Sequence, residues 1–506
     1  MKSQRNHARG GDHHSRRIGN MIIIASMLLS LCALSFIKAR FCSTPYGKSK
    51  GPLKFEVEME ESLMMVTDDD QRKISESAIK EYEEIKKIET KSKSENNNNF
   101  NIIDEVGEEE EDDDSGEATC HATSRRSDTC DARGDVRVAG RSKTVHVRPL
   151  RRAQRIKPYA RKHDAVAFRH VSEWALLPFP RGQSPPPPPP PPPACTVNQS
   201  VPAFLFSTGG FTGNLFHDYT DVLVPIFISA YQFRGAVQFL VTDVKPWWIH
   251  KFEKILKQLT NFDIVDVDAD EEVRCFPRLV AGPAFHKELG VNASKTPGGY
   301  SVVEFRKMLR EAFGLERAAA VPGGDRWDIR RKPRLLIISR KNTRMFLNER
   351  AMVEMATSLG FDVRIGEPDV NTDVGQFARL VNSADVMLGV HGAGLTNMVF
   401  LPAGAVLIQV VPFGGLEWLT MGTFGNATKD MEINYMEYKI KLDETTLREQ
   451  YPKNHPVLKN PCSIHKQGWT AIKTAYLDKQ NVRPHLGRLK KTLLQALKLL
   501  PHSHMH

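Results

Sequence analysis

No Cys-x-x-Cys pair occurs anywhere in the 506 residues, which removes a structural zinc site of that spacing. Cysteine is scarce altogether: Cys32, Cys42, Cys120, Cys130, Cys195, Cys275 and Cys462. Only the last three lie where the sequence reads as folded. One disulfide among them, with one thiol left over, is the expectation for an oxidising compartment, and the pairing stays open. The net charge of +10 comes without aromatic interleaving, zinc spacing or a helix-turn-helix pattern, so nucleic acid is not an expected partner. Charge is segregated instead. Residues 104–117 hold ten acidic groups and no basic one, while 125–163 hold thirteen Lys/Arg against three Asp. Like-charge blocks of this kind read as solvated tether.

One long apolar run is present. Ile18 to Ile37 gives twenty residues without a charge, and at about 1.5 Å per residue that crosses a hydrocarbon core of about 30 Å. Five Lys/Arg against one Asp in the first seventeen residues favour a cytoplasmic N-terminus. A cleaved signal peptide is the rival, but no small-x-small site closes the run. Three sequons, at Asn198, Asn292 and Asn426, support a luminal, glycosylated body. The expected organisation is a cytoplasmic tail (1–17), a transmembrane signal-anchor (18–37) and a disordered stem (38–195). The stem closes on nine consecutive prolines, Pro185 to Pro193, a stiff polyproline II spacer. Two Rossmann-like domains, 196–330 and 331–506, follow.

After Pro193 short apolar runs alternate with helix-period segments, the pattern of βαβ units and a parallel sheet. Strands are expected at 203–207, 237–241 and 262–267, with helices at 214–232, 247–259 and 301–313. A Gly/Pro/Arg-rich connector covers 314–333, and then the pattern restarts. Strands at 335–339, 362–365, 386–390 and 406–411 alternate with helices at 348–359 and 373–383, and a helix at 485–499 closes the chain. The expected class is α/β, with two Rossmann-like halves facing a cleft.

Three clusters carry candidate chemistry. Strand 386–390 runs into His391-Gly392-Ala393-Gly394-Leu-Thr396-Asn397, a Gly-rich turn opening a helix. Its glycines permit close backbone approach, and a strand end is where open α/β sheets take ligands, here an anionic diphosphate. Arg340 and Arg344 follow strand 335–339, and their guanidinium forks match phosphate oxygens. In Asn214-Leu-Phe-His217-Asp218-Tyr-Thr-Asp221, His217 and Asp221 are spaced i,i+4 and share a helix face. Asp221 would then orient His217 as a general base, with Asp218, about 100° around the helix, a competing base. Asp266, Asp268 and Asp270 invite a metal-binding reading, but a solvated turn explains them better. Glu417 follows another sheet strand and is a weaker candidate for ribose hydroxyls.

In these blocks, 213–221, 338–344, 389–397 and 415–418, and in their order, the sequence resembles the family 61 glycosyltransferases, especially the plant xylan-modifying branch. The resemblance runs from about Pro202 to Leu497. The charged stem, the polyproline run and the connector fall outside the family pattern. The resemblance implies a GT-B fold with an acceptor-side domain (196–330) and a nucleotide-sugar domain (331–506), type II topology in the Golgi membrane, a UDP-sugar donor, inversion at the anomeric carbon and no bound metal. The acceptor it implies is xylan, modified with arabinofuranose or xylose. Transfer of β-1,2-xylose to N-glycans is the alternative. A non-catalytic subunit of a Golgi synthase complex that keeps nucleotide affinity is a third reading, against which the joint presence of His217, Asp221, Arg340 and Arg344 argues.

Overall fold

A computed structural model of the chain describes residues 118–179, 191–320 and 332–500. The expected anchor at 18–37, the acidic block and most of the polyproline run lie outside the described residues. Among the described residues no helix is long and apolar enough to cross a membrane.

Half of the first sheet is built from residues expected to form tether. Strands β1 (Thr119–Ser124), β2 (Ser127–Ala139), β3 (Thr144–Arg148), β4 (Gln154–Ile156) and β5 (Trp174–Pro178) come from the basic block and its surroundings. They join β6 (Val197–Asn198), β7 (Ala203–Ser207), β8 (Gln238–Thr242), β9 (Val265–Asp266) and β10 (Val273–Ala281). The order is β4-β5-β3-β2-β10-β7-β8-β9, with β1 beside β2 and β6 beside β10. The stem as drawn from the sequence is therefore wrong over 118–179, and the first folded unit begins well before residue 196. Period-2 alternation is the reason. Ala132, Val136 and Val138 are buried while Arg133 and Arg137 point outward, so average charge hid an amphipathic strand. β2 pairs antiparallel with β10 and β3, which makes this sheet mixed, whereas β7, β8 and β9 are parallel neighbours. β7 and β8 are buried along their whole length, as strands covered on both faces must be. Gly134, at φ +106°, lies where any Cβ would run into the carbonyl of Arg148.

The second sheet, in the order β12-β11-β13-β14-β15, is wholly parallel. Its strands are β11 (Arg334–Ile338), β12 (Asp362–Gly366), β13 (Val386–Val390), β14 (Val406–Val411) and β15 (Asn434–Lys439). One apolar core runs without a break from Phe204, Phe206 and Phe239 on the first sheet to Leu336, Leu388 and Ile408 on the second. A smaller core of Val136, Val147, Trp174 and Leu240 fills the other face of the first sheet. Helix Val302–Phe313 starts in a Ser301–Glu304 capping box and stops at Gly314 in the left-handed region. Its buried Arg306 donates to the carbonyls of Val399, Leu401 and Met431, fastening the helix to the second sheet's loops.

The cysteines also depart from expectation. Cys195–Cys275 is one disulfide among the three late cysteines, as expected, but Cys120 also pairs with Cys130 and Cys462 is disulfide-bonded too, so among the described residues no thiol is left over. Cys120 and Cys130 face each other across the β1–β2 ladder, in the stretch that the sequence reading set aside as unfolded. Of the sequons, Asn198 and Asn426 are exposed and Asn292 is half-buried. Thr428 of the third is fully buried, its hydroxyl donating to the Gly425 carbonyl at 2.8 Å.

Candidate active site

Asn214 caps the helix that carries His217, its side chain accepting from the Phe216 amide. The helix then widens into a π-helical turn over Asp218–Leu223, a local deformation often found at functional positions. His217 and Asp221 meet, Nδ1 to Oδ2, at 2.8 Å, and both are fully buried. Arg161 Nη1 lies 3.3 Å from each Asp221 oxygen, Arg126 Nη2 is 2.9 Å from Oδ1, and the Tyr159 hydroxyl donates to Oδ2 at 3.2 Å. Burial alone would raise the Asp221 pKa, but Arg161, His217 and Arg126 outweigh it and hold the carboxyl well below the usual range. An ionised carboxylate only accepts, so His217 carries its neutral-state proton on Nδ1 and presents Nε2 as the basic nitrogen.

Asp218 is in a different setting. Its Oδ1 accepts from the Gly213 amide and from Trp248 Nε1, both at 2.8 Å. Its Oδ2 is buried without a hydrogen-bond partner among the described residues. Desolvation raises its pKa to about 6 against the pull of those two donors. It ties the Gly213 turn to helix Pro246–Leu256.

On the second sheet, β11 and β13 are neighbours, so the loops at their C-terminal ends lie side by side. Arg340 and Arg344 converge there on Gly392. A Cβ at Gly392 would collide with Arg340 Nη1 and lie 3.3 Å from Arg344 Nη1. Gly392, at φ +150°, leaves room for the two guanidinium groups. Arg344 itself adopts φ +58° and donates from Nη1 to the His391 carbonyl at 2.9 Å, while Arg340 Nε donates to the Thr343 carbonyl at 2.8 Å. His391 Nδ1 meets the Gln409 side-chain amide at 2.8 Å. The Thr396 hydroxyl is buried with no hydrogen-bond partner among the described residues, and Asn397 donates to the Gly394 carbonyl. Glu417 lies farther along the sheet, half-exposed, 3.5 Å from Lys439.

The two clusters adjoin. Helix Leu215–His217 packs on the 3₁₀ segment Ala393–Phe400. Phe424 bridges them, its ring 5.5 Å from Phe216 and 5.7 Å from His391, and Phe216 is 5.4 Å from the His217 ring. Arg126, Tyr159, Arg161 and Phe424 were missed in the sequence. A two-residue alternation in the basic block would have shown that the stretch around the first three is folded. The aspartates at 266–270 turn to local work: Asp268 accepts from Thr242 and the Asp243 amide, Asp270 pairs with Arg274, and Asp266 accepts from the Ala269 amide.

A family model for glycosyltransferase 61 matches residues 215–408, the stretch running from the His217 helix through the Gly392 turn to β14. The beta-1,2-xylosyltransferase XYXT1 of Oryza sativa subsp. japonica is 37% identical over 401 residues, covering 75% of this chain and 84% of that protein. The chain belongs to glycosyltransferase family 61. The alpha-1,3-arabinosyltransferase XAT3 of the same plant is 42% identical over 383 residues, or 75% of this family 61 chain and 64% of the relative. The chain thus spans just under two thirds of that relative's length. The xylan glycosyltransferase MUCI21 of Arabidopsis thaliana is 34% identical over 394 residues, with 75% and 78% covered. These alignments are longer than the stretch from Pro202 to Leu497, so the family likeness is wider than the motif blocks indicated.

Proposed function

We propose that the chain transfers a pentose, arabinofuranose or xylose, from a UDP-sugar to xylan with inversion at the anomeric carbon. One observation carries this: a buried His–Asp pair clamped by arginines adjoins a glycine turn on which two further arginines converge. Relatives named as an alpha-1,3-arabinosyltransferase, a beta-1,2-xylosyltransferase and a xylan glycosyltransferase support the substrate class. In this reading the two lobes form a GT-B cleft. Asp221 keeps His217 in the tautomer whose Nε2 takes the proton of the acceptor hydroxyl as its oxygen attacks the anomeric carbon. Charge develops on the departing diphosphate, where Arg340 and Arg344, seated against Gly392, receive it. Inversion needs one in-line displacement, hence one base and no glycosyl-enzyme. The body would lie in the Golgi lumen behind a type II anchor, and the arginines would take the place of a bound metal.

The direct test incubates the purified chain with UDP-arabinofuranose or UDP-xylose and xylo-oligosaccharides, with and without EDTA. Transfer of one pentose, largely unaffected by EDTA, is expected. No transfer from either donor would sink the reading, and a loss of several orders of magnitude that Mn²⁺ restores would sink its metal-free part. Arg340→Ala should weaken UDP binding about ten- to a hundredfold by calorimetry, since a charge-assisted hydrogen bond contributes roughly 1.5–3 kcal/mol. Unchanged UDP affinity would remove Arg340 from the diphosphate site.

A further inference from the structure

Trp247 is left 42% exposed on the first turn of helix Pro246–Leu256, although the fold does not need an apolar residue there. Its neighbour Trp248, about 100° around the helix, is fully buried and holds Asp218. The Trp247 ring lies against the turn that leads to His217: a Cβ on Gly213 would stand 3.4 Å from Trp247 Cη2. One helical turn on, on the same face, Lys251 Nζ donates to the Val370 carbonyl of the second lobe at 2.9 Å. The loop carrying Val370 also reaches the glycine turn, since a Cβ on Gly394 would be 3.6 Å from Pro368 Cγ. Trp247 therefore stands beside the turn that leads to His217, on a helix face whose next turn meets the second lobe.

The adjacent face of the same helix borders a groove of about 420 Å³, within the size range of about 300–1,000 Å³ for ligand sites. Val244, Pro246, Ile249 and Ile264 give it an apolar floor, and His250, Glu253 and Asp266 give it polar groups. Its two carboxylates disfavour an anionic occupant, nucleotide or phosphate. A neutral pyranose chain matches this surface, because its C–H faces pack on apolar and indole surfaces while its hydroxyls donate to carboxylate and imidazole.

We propose that Trp247 and this groove form an acceptor subsite that holds sugar residues flanking the one being modified. The inference rests on the glycan-acceptor reading above and adds that the chain recognises an extended xylan backbone. The exposed indole against the turn that leads to His217 carries it, with the groove on the adjacent face of the same helix.

The test uses the full-length chain in detergent, with xylo-oligosaccharides of increasing length measured for both binding and transfer. In the wild type KM should fall as the acceptor lengthens. Trp247→Ala should raise KM for the longest acceptors about tenfold, the equivalent of losing one stacked ring. It should leave kcat, UDP affinity and KM for the shortest acceptor unchanged, and Trp247→Phe should recover most of the loss. Wild-type KM at every length in Trp247→Ala would overturn the subsite, as would an equal loss at all lengths or in kcat, which would mark Trp247 as packing for the His217 turn. Long oligosaccharides that bind through Trp247 but receive no pentose would leave the subsite standing and refute the proposed transfer reaction. Failure of the wild type to bind them at all would refute the subsite.

Discussion

Replacing His217 with alanine is expected to lower turnover by about 10²–10⁴-fold, the usual worth of a general base, while UDP affinity stays close to its original value. The expectation rests on the surroundings of Asp221. A carboxylate held ionised by Arg161 and Arg126 fixes the Nδ1 proton of His217 and stabilises the imidazolium formed when Nε2 accepts a proton. Asp221→Asn keeps the shape and removes that charge, so it should show a smaller loss of the same kind. Asp218→Asn separates the two candidate bases. Its carboxyl serves the Gly213 amide and Trp248, so the variant should retain most turnover. It should also relieve a cost in stability. With its folded pKa raised to about 6, Asp218 ionises in the unfolded chain from about pH 4 but later in the fold. The unfolded state then binds fewer protons, so this group makes stability fall as pH rises from about 4 to 6. Initial rates and UDP calorimetry on the three variants decide the matter. If Asp218→Asn abolishes turnover and His217→Ala keeps most of it, the base is Asp218 and the helix-face argument fails.

The parts of this site that could be read in the sequence were those set by local spacing. His217 and Asp221 meet because four residues make one helical turn, and that survives the π-helical widening at Asp218–Leu223. Arg340, Arg344 and Gly392 converge because each follows a buried strand of one parallel sheet, where loops at the same edge share a rim. What could not be read depends on pairing across long separations. Arg126 and Arg161 reach Asp221 over 95 and 60 positions, through a sheet whose outer strands carry a Lys/Arg excess. Composition averages both faces of a strand, so the alternation of Val136 and Val138 with Arg137 vanished into a charge count. The Cys120–Cys130 disulfide was lost with it. Phe424 was unreadable for another reason: only assembly of the two lobes puts it between Phe216 and His391.

Arg161→Met tests whether the basic segment belongs to the active unit, and a destabilisation of about 3–5 kcal/mol is expected. Removing one partner of a buried ion pair leaves the other charge uncompensated, at a cost of that size. Asp221 is fully buried and Arg161 nearly so. Arg126 remains as a second cation, but it is partly exposed and shared with Glu288, so it compensates incompletely. The pH dependence follows from the depressed pKa of Asp221. In the wild type its contribution is fully present above the ordinary carboxylate value of about 4, and it is lost as pH falls toward the lower folded value. In Arg161→Met the burial term gains weight and the folded pKa rises, so mild acid protonates Asp221 and removes the unpaired charge. The stability gap between the two proteins should therefore be widest near pH 7 and narrow toward pH 5. Turnover should fall with it, because a protonated Asp221 no longer fixes the His217 tautomer. Urea denaturation of both proteins at the two pH values measures the gap. Equal stability at pH 7 would mean that the Arg161–Asp221 contact does not hold the segment to the catalytic lobe, and a gap that widens in acid would reverse the electrostatic argument.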